Sequence, residues 1–435
     1  MQHCKLRPKL LLASYMTLNS PEVTLRARNR IVIIGAGAAG SMAAIFSAKG
    51  GAETILLERT RDGGKKILIS GGGRCNVLPM RVDESRFVTD SSPNSMRKML
   101  RSWPLTEQIA FFENDLGIPL AEEPESLKLF PVSNKARDVR DGLLDYARRA
   151  GATVYNESVV TGFAPENGGW RVEREGLPPI ECDALIVATG GLSVPNTGSD
   201  GVGLRELKRL GHVMNPVYAA LTPLTATNSP FADLSGVSLR VTITARDDIN
   251  ARSATSTGGF LFTHHGYSGP SVLDISHVAV RSRTESNGSA RVTVQWTELD
   301  AAAWEIALQP DGKRTVSGAI RPYLPDRLVA VLLKLADCDP GRLLAELRRD
   351  ERMRVIKMLV SCELAWNGDE GYKKAEVTGG GVSLAEVSPS SMESRRHPGL
   401  FICGEVLDAF GPVGGYNFLW AWATGRAAGI NAALL

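Results

Sequence analysis

Residues 31–40, Ile-Val-Ile-Ile-Gly-Ala-Gly-Ala-Ala-Gly, constrain this chain more than any other stretch. Few local folds accept an apolar run that ends in closely spaced glycines. Arg30 to Ile34 reads as a buried parallel strand, and Gly35 as the tight turn after it. Gly37 lets backbone N–H groups come close to a pyrophosphate, and Gly40 lets the next helix lie against the strand. That helix, Ala38 to Lys49 with Ala39 in its first turn, points its free N–H groups and positive dipole end at the phosphates. Gly50-Gly51 ends it. A second apolar run, Thr54 to Leu57, leads to Glu58 and Arg59. Glu58 stands roughly 20 residues beyond the glycines, where a carboxylate hydrogen-bonds an adenosine ribose. A carboxylate there repels a 2′-phosphate, so FAD or NAD is favoured over NADP at this site.

The C-terminal region decides between the two. Gly399 to Asp408 is an apolar strand ending in Gly404-Glu405, and Gly411-Pro-Val-Gly414-Gly415-Tyr416-Asn417 opens a helix that runs to about Ala433. A Gly-acid pair of this kind serves the ribityl and phosphate region of a flavin. The following helix then aims its positive end at the flavin N1–C2=O edge, where the reduced ring is anionic. Cys182 to Gly191, with Thr189-Gly190, supplies a further strand that returns the chain to the nucleotide. Together these pieces point to FAD.

Four blocks carry a family resemblance: Gly64-Lys-Lys66-Ile-Leu-Ile-Ser70-Gly-Gly72-Gly73-Arg74-Cys75-Asn76, Leu261 to Pro270 with His264 and Ser268, Val377-Thr378-Gly-Gly380, and Gly404-Glu405-Val-Leu-Asp408. From about Arg30 to the C-terminus the chain resembles the YhiN/BaiN-like flavoproteins. The resemblance implies an α/β fold: a Rossmann-like FAD-binding domain of the two-dinucleotide type, with an inserted domain that is part β-barrel-like and part helical. The expected division is an extension at 1–28, an FAD domain at 29–194 and 372–435, and an insert at 195–371 with its helical part at about 320–362. Lys66, Ser70, Gly72, Gly73, Arg74 and Asn76 are expected at the flavin or at an anionic substrate edge. For chemistry, the resemblance implies reduction of conjugated double bonds, with bile-acid-type enones and uridine in ribosomal RNA as substrate classes. Oxidation of a small amine by O2 and a non-catalytic flavin sensor are the alternatives.

Since the flavin carries the hydride, the protein has to supply positioning and a proton. His264 and Tyr416 are the expected donors, because both side chains can give one up. Cys75 is a further candidate at the cavity wall, but it lacks the second cysteine a redox dithiol needs. No second glycine-turn unit is visible, so NAD(P)H is expected to dock transiently at the flavin.

Composition narrows the remaining classes. A net charge of +3 identifies no partner. The six cysteines, Cys4, Cys75, Cys182, Cys338, Cys362 and Cys403, form no CxxC pair. Disulfides and metal sites are therefore not expected, and a reducing cytoplasmic compartment is. No apolar run approaches the roughly 18 residues of a membrane span. Lys5, Arg7 and Lys9 precede an apolar stretch without a small-residue cleavage site, which favours a dispensable extension over a signal. Helices are expected over Arg97–Gly117 and Asn134–Ala150 and between Tyr323 and Val360, and strands at Val237–Thr244 and Arg291–Trp296. Asp247–Gly259 and Arg281–Ala290 read as loops. Arg342, Arg348, Arg349, Arg352, Arg354 and Lys357 would suit an RNA substrate, although Glu346, Asp350 and Glu351 among them suit a solvated face equally. No dedicated protein partner is readable.

Overall fold

A computed structural model describes residue 1 and residues 29–285, 288 and 290–435. Nearly all of the expected extension lies outside the described residues. Five parallel strands form the central sheet in the order Leu400–Ile402, Ala184–Val187, Arg30–Ile34, Glu53–Leu57 and Thr153–Tyr155. Ile31, Val32 and Ile33 are fully buried, as an uninterrupted β-branched run requires when both sheet faces are covered. The order reverses beside Arg30–Ile34, and the crevice at that switch point is where such sheets take a ligand.

Helix Ala38–Lys49 follows the first strand and is buried on nearly all sides. Against it lies the C-terminal helix Tyr416–Ala432, and the two backbones touch because glycines leave room. A Cβ on Gly425 would stand 2.3 Å from the Ala39 carbonyl oxygen, and one on Gly429 would stand 2.4 Å from that of Ala43. The helix after the first strand and the C-terminal helix are thereby joined beside the sheet.

The chain leaves this unit through Met214–Ala220 and returns through Val377–Val382, which pair antiparallel. Between them a second core runs from Leu224 to Leu364. It holds a seven-stranded antiparallel sheet and a helix, Pro270–Glu285, packed against strands Ser238–Asp247 and Arg252–Phe262. Short helices complete it: Ala301–Ala307, Val316–Ile320, Asp326–Leu335 and Arg349–Val360.

Several local expectations are corrected. Arg252–Phe262 is a strand, not a loop; its exposed face is polar because Thr255 and Thr257 pair hydroxyl to hydroxyl with Thr244 and Thr242. Arg281–Glu285 is the last turn of a helix, where the Arg281 guanidinium grips Asp90 through two bonds of 2.9 and 2.8 Å. The expected helix Arg97–Gly117 is Pro93–Arg101 followed by Leu105–Ala110 and a π-type turn to Asp115. Pro104, which has no N–H to donate, separates them. The helical part of the insert starts at Ala301, well before the first apolar period, since Ala-Ala-Ala-Trp is too short to show one.

The helix crossing yields a test. Gly429→Ala should lower stability by about 1–3 kcal/mol through overpacking. Gly341→Ala, where a Cβ meets nothing nearer than 3.6 Å, should stay within about 0.5 kcal/mol. Chemical denaturation of both variants checks this; equal midpoints would refute the crossing.

Candidate functional site

The Gly35–Gly40 turn opens one side of a cavity of about 590 Å³, within the range of small-molecule and cofactor sites. Gly35, Gly37, Ala38 and Ala39 line it. The helix they begin has no side-chain cap at Gly37, so its first N–H groups face the cavity without a protein acceptor from that position. A Cβ on Gly37 would meet no protein atom within 4 Å, although one on Gly40 would stand 1.8 Å from the Gly35 carbonyl oxygen. Gly37 thus leaves a cradle for a ligand; Gly40 sits behind the wall and serves packing.

Glu58 and Arg59 form the next part of the wall. The Glu58 carboxylate is buried and accepts from the Ala36 N–H at 3.0 Å and from the Thr60 N–H and hydroxyl at 2.8 and 2.6 Å. Its ring of donors keeps it fixed, with lone pairs left for a ribose hydroxyl. Arg59 is ion-paired with Asp200.

On the opposite side, Lys66, Ser70, Gly72 and Asn76 line the cavity, as do Thr189, Gly190, Gly404, Glu405, Gly414, Gly415 and Asn417. Gly71, Gly72, Gly73 and Cys75 all have positive φ, so the Ser70–Asn76 segment coils tightly. Asn76 Oδ1 is buried with no hydrogen-bond partner, an acceptor in the cavity wall that a bound N–H group would satisfy. Asn417 pins the loop before the C-terminal helix by accepting from the Gly411 N–H and donating to its carbonyl. That helix begins at Gly415 with no side-chain cap and no acid in its first turn. Both helix starts, the orphaned Asn76 oxygen and the Gly37 cradle fit a dinucleotide that carries a flavin ring.

Glu405 is the electrostatic centre of the wall. Burial by itself raises its carboxyl, but the Lys66 ammonium at 2.7 Å, the Ser193 hydroxyl at 2.7 Å and the Thr378 N–H at 3.0 Å outweigh burial and hold it below the usual glutamate range. Lys66 also donates to Ser193 at 2.6 Å, and the Thr378 hydroxyl accepts from the Leu192 and Ser193 N–H groups. Four segments distant in sequence are locked together. Ser193 was not singled out in the sequence, and nothing in its Gly-Gly-Leu-Ser context marks it.

Besides Gly40, five residues expected at the site stand elsewhere. Cys75 is fully buried outside the cavity wall, and burial pushes its thiol up to about 12, which suppresses thiolate chemistry. His264 is exposed on the turn after Arg252–Phe262 and does not line the cavity. Tyr416 is buried, with its hydroxyl donating to the Arg81 carbonyl at 3.2 Å. Arg74 stacks on Phe130 and pairs with Glu123, so it braces the loop, and Gly73 also lies off the wall. In their place the cavity presents Lys65, Lys128, Lys373, Lys374 and Glu376. Among the described residues no His/Cys/Asp/Glu cluster could hold a metal ion, and no helix is long and apolar enough to cross a membrane.

Comparison with known proteins agrees with this geometry. The family described as HI0933-like protein Rossmann domain matches residues 29–431. The chain is 32% identical over 404 residues to a ribosomal RNA dihydrouridine synthase of Escherichia coli (strain K12), covering 91% of this chain and 96% of that protein. It is also 32% identical over 414 residues to a 3-dehydro-bile acid delta(4,6)-reductase of Clostridium scindens, covering 93% and 99%. A solved 3-ketosteroid delta1-dehydrogenase from Sterolibacterium denitrificans shares the fold at TM-score 0.52 and 10% identity, covering 93% of this chain and 100% of that one.

Removing the Lys66 charge should expose what it holds. Lys66→Met leaves a largely buried carboxylate unpaired and should cost about 1–3 kcal/mol, less than a fully buried pair because both side chains keep some solvent contact. The wild-type contribution is present above the unfolded glutamate value and is lost as pH falls through the lowered folded value. The variant's deficit in denaturation midpoint should therefore be largest near neutral pH and shrink toward pH 3, roughly. A deficit that grows in acid would contradict this assignment.

Proposed function

This chain belongs to the HI0933-like family and is a FAD-dependent oxidoreductase, and we propose that it saturates an activated C=C bond with electrons from NAD(P)H. The observation that carries the proposal is what two near-full-length relatives share. A delta(4,6)-reductase and a dihydrouridine synthase, on unlike substrates, are both named for saturation of a carbon–carbon double bond next to a carbonyl system.

Bound FAD would accept a hydride from the nicotinamide and pass it to the substrate. The chain's own residues divide the remaining work. Gly37 and the start of helix Ala38–Lys49 would hold the pyrophosphate, and Glu58 the adenosine ribose. Asn76 and the start of the C-terminal helix would face the ring end. Lys65, Lys373 and Lys374 line the cavity without an ion-pair partner among the described residues, and they would draw in a polyanionic donor. A donor and an acceptor that share one cavity enter in turn.

An RNA substrate is the second reading, favoured by the dihydrouridine synthases among the relatives. The helical part of the insert adds little to it, because its arginines are mostly neutralised: Arg342 and Arg348 pair with Glu351, Arg354 with Asp350 and Arg352 with Glu305.

Anaerobic spectroscopy tests the proposal. NADH or NADPH should bleach the flavin, and an enone such as 2-cyclohexen-1-one should restore its colour; steady-state double-reciprocal plots should be parallel. Intersecting plots would reject the shared cavity. Peroxide release with a small amine, and no reoxidation by any enone or uridine substrate, would reject C=C reduction in favour of an oxidase. Loss of dihydrouridine from the ribosomal RNA of a deletion strain, read by mass spectrometry, would assign the RNA substrate.

A further inference from the structure

We propose that Glu376 is the acid that protonates the substrate during C=C reduction, with Lys128 beside it holding the negative charge that develops. The proposal rests on the C=C reading above and names the proton source that reading requires.

Glu58 would hold the adenosine end of the cavity, and the flavin ring would then lie toward Gly72, Asn76 and Gly414, which also line it. Lys128 reaches that end from strand Lys128–Pro131: a Cβ on Gly414 would stand 3.6 Å from Lys128 Cε. Glu376 reaches the cavity from a separate element, immediately before strand Val377–Val382. Its N–H donates to the Leu221 carbonyl at 3.1 Å, and Val377 packs with Ala220, Leu221 and Phe410. The backbone under the carboxyl is therefore rigid, as precise proton delivery demands. Neither the Glu376 nor the Lys128 side chain has a hydrogen-bond or ion-pair partner among the described residues, so both are free for a ligand.

The charged groups around Glu376 come from three directions. Lys128 faces it from the small sheet, and Lys373 and Lys374 precede it in the chain. Asp274 faces it from helix Pro270–Glu285, where it accepts from the Val413 N–H at 2.8 Å and the Ser256 hydroxyl at 2.9 Å and pairs with Arg86. Glu376 is exposed by surface area, and its side chain opens to the cavity with Lys128 and Asp274 near it. Desolvation by the protein packed around the cavity mouth, opposed by Lys128 and reinforced by the Asp274 charge, raises its carboxyl above the usual glutamate range. A general acid needs such a shift to retain its proton closer to neutral pH.

The step balances. Bound reduced flavin would supply the hydride that forms a C–H bond at the electrophilic carbon, and the π pair would move onto the adjacent carbon and its carbonyl oxygen. The Glu376 O–H breaks as its proton bonds to that adjacent carbon, leaving a carboxylate that water reprotonates. The substrate would be reduced and the flavin left oxidised, with NAD(P)H as the proposed source of the next electron pair.

The test uses the FAD-loaded full chain, reduced with dithionite and then mixed anaerobically with 2-cyclohexen-1-one or uridine. Glu376→Gln should slow flavin reoxidation by about 10²–10⁴-fold, while flavin reduction and the flavin spectrum stay as in the wild type. Glu376→Asp should recover part of the loss. The wild-type rate should fall as pH rises through the raised carboxyl value, and the Gln variant should lack that limb. Independently of turnover, the infrared difference between wild type and Glu376→Gln should contain a protonated-carboxyl band above the pH of about 4.5 at which ordinary glutamates ionise. Equal reoxidation rates, or no such band, would overturn the role of Glu376 alone. A wild type that passes electrons to neither probe would overturn the C=C reading, and this proposal with it.

Discussion

The backbone contact between helices Ala38–Lys49 and Tyr416–Ala432 is the constraint on which the rest of the site depends. Side chains normally keep helix axes 8–10 Å apart; at Gly425 and Gly429 there is none to do so. Close approach draws the last helix over the first, and it carries Gly404 and Glu405 to the nucleotide turn, where a Cβ on Gly404 would stand 2.8 Å from that of Ala39. The cavity is thus closed by residues from both ends of the sequence. A ligand held there binds both halves of the domain at once and adds its binding free energy to their cohesion.

A second layer of order comes from charge kept away from water. Glu405 gathers Lys66, Ser193 and Thr378, and Asp408 gathers Thr89, Ser91 and Asn215 around a single carboxylate oxygen. Each network is costly to break, since it would leave a desolvated group without a partner. The insert is tied to the nucleotide domain in the same way, by Arg281 on Asp90 and by Asp274 on Val413. Its helix Pro270–Glu285 therefore communicates directly with the loop that opens the C-terminal helix.

Legibility in the sequence followed the physics of each part. The first strand, its glycine turn and its helix were readable to the residue because sterics at Gly35 and Gly40 permit little else. The Arg252–Phe262 strand was not, because a face of threonines and glycines resembles a loop in composition and becomes a strand only through its cross-strand partners. Helix Pro270–Glu285 also escaped, since it is buried nearly all round and shows no amphipathic period. For the site, Gly35, Gly37, Gly404, Gly414 and Gly415 line the cavity, whereas His264, Tyr416 and Cys75, chosen for side-chain chemistry, stand off it.

That difference has a physical origin. A pyrophosphate is held by N–H groups and by the absence of side chains, so its site is written in consecutive residues and survives being read one segment at a time. Reactive side chains act only where folding brings them together. Lys128 comes from a three-stranded sheet and Glu376 from the residue just before the return strand Val377–Val382, with no local pattern to link them. The cofactor half of the cavity is a property of the chain, and the substrate half is a property of the fold.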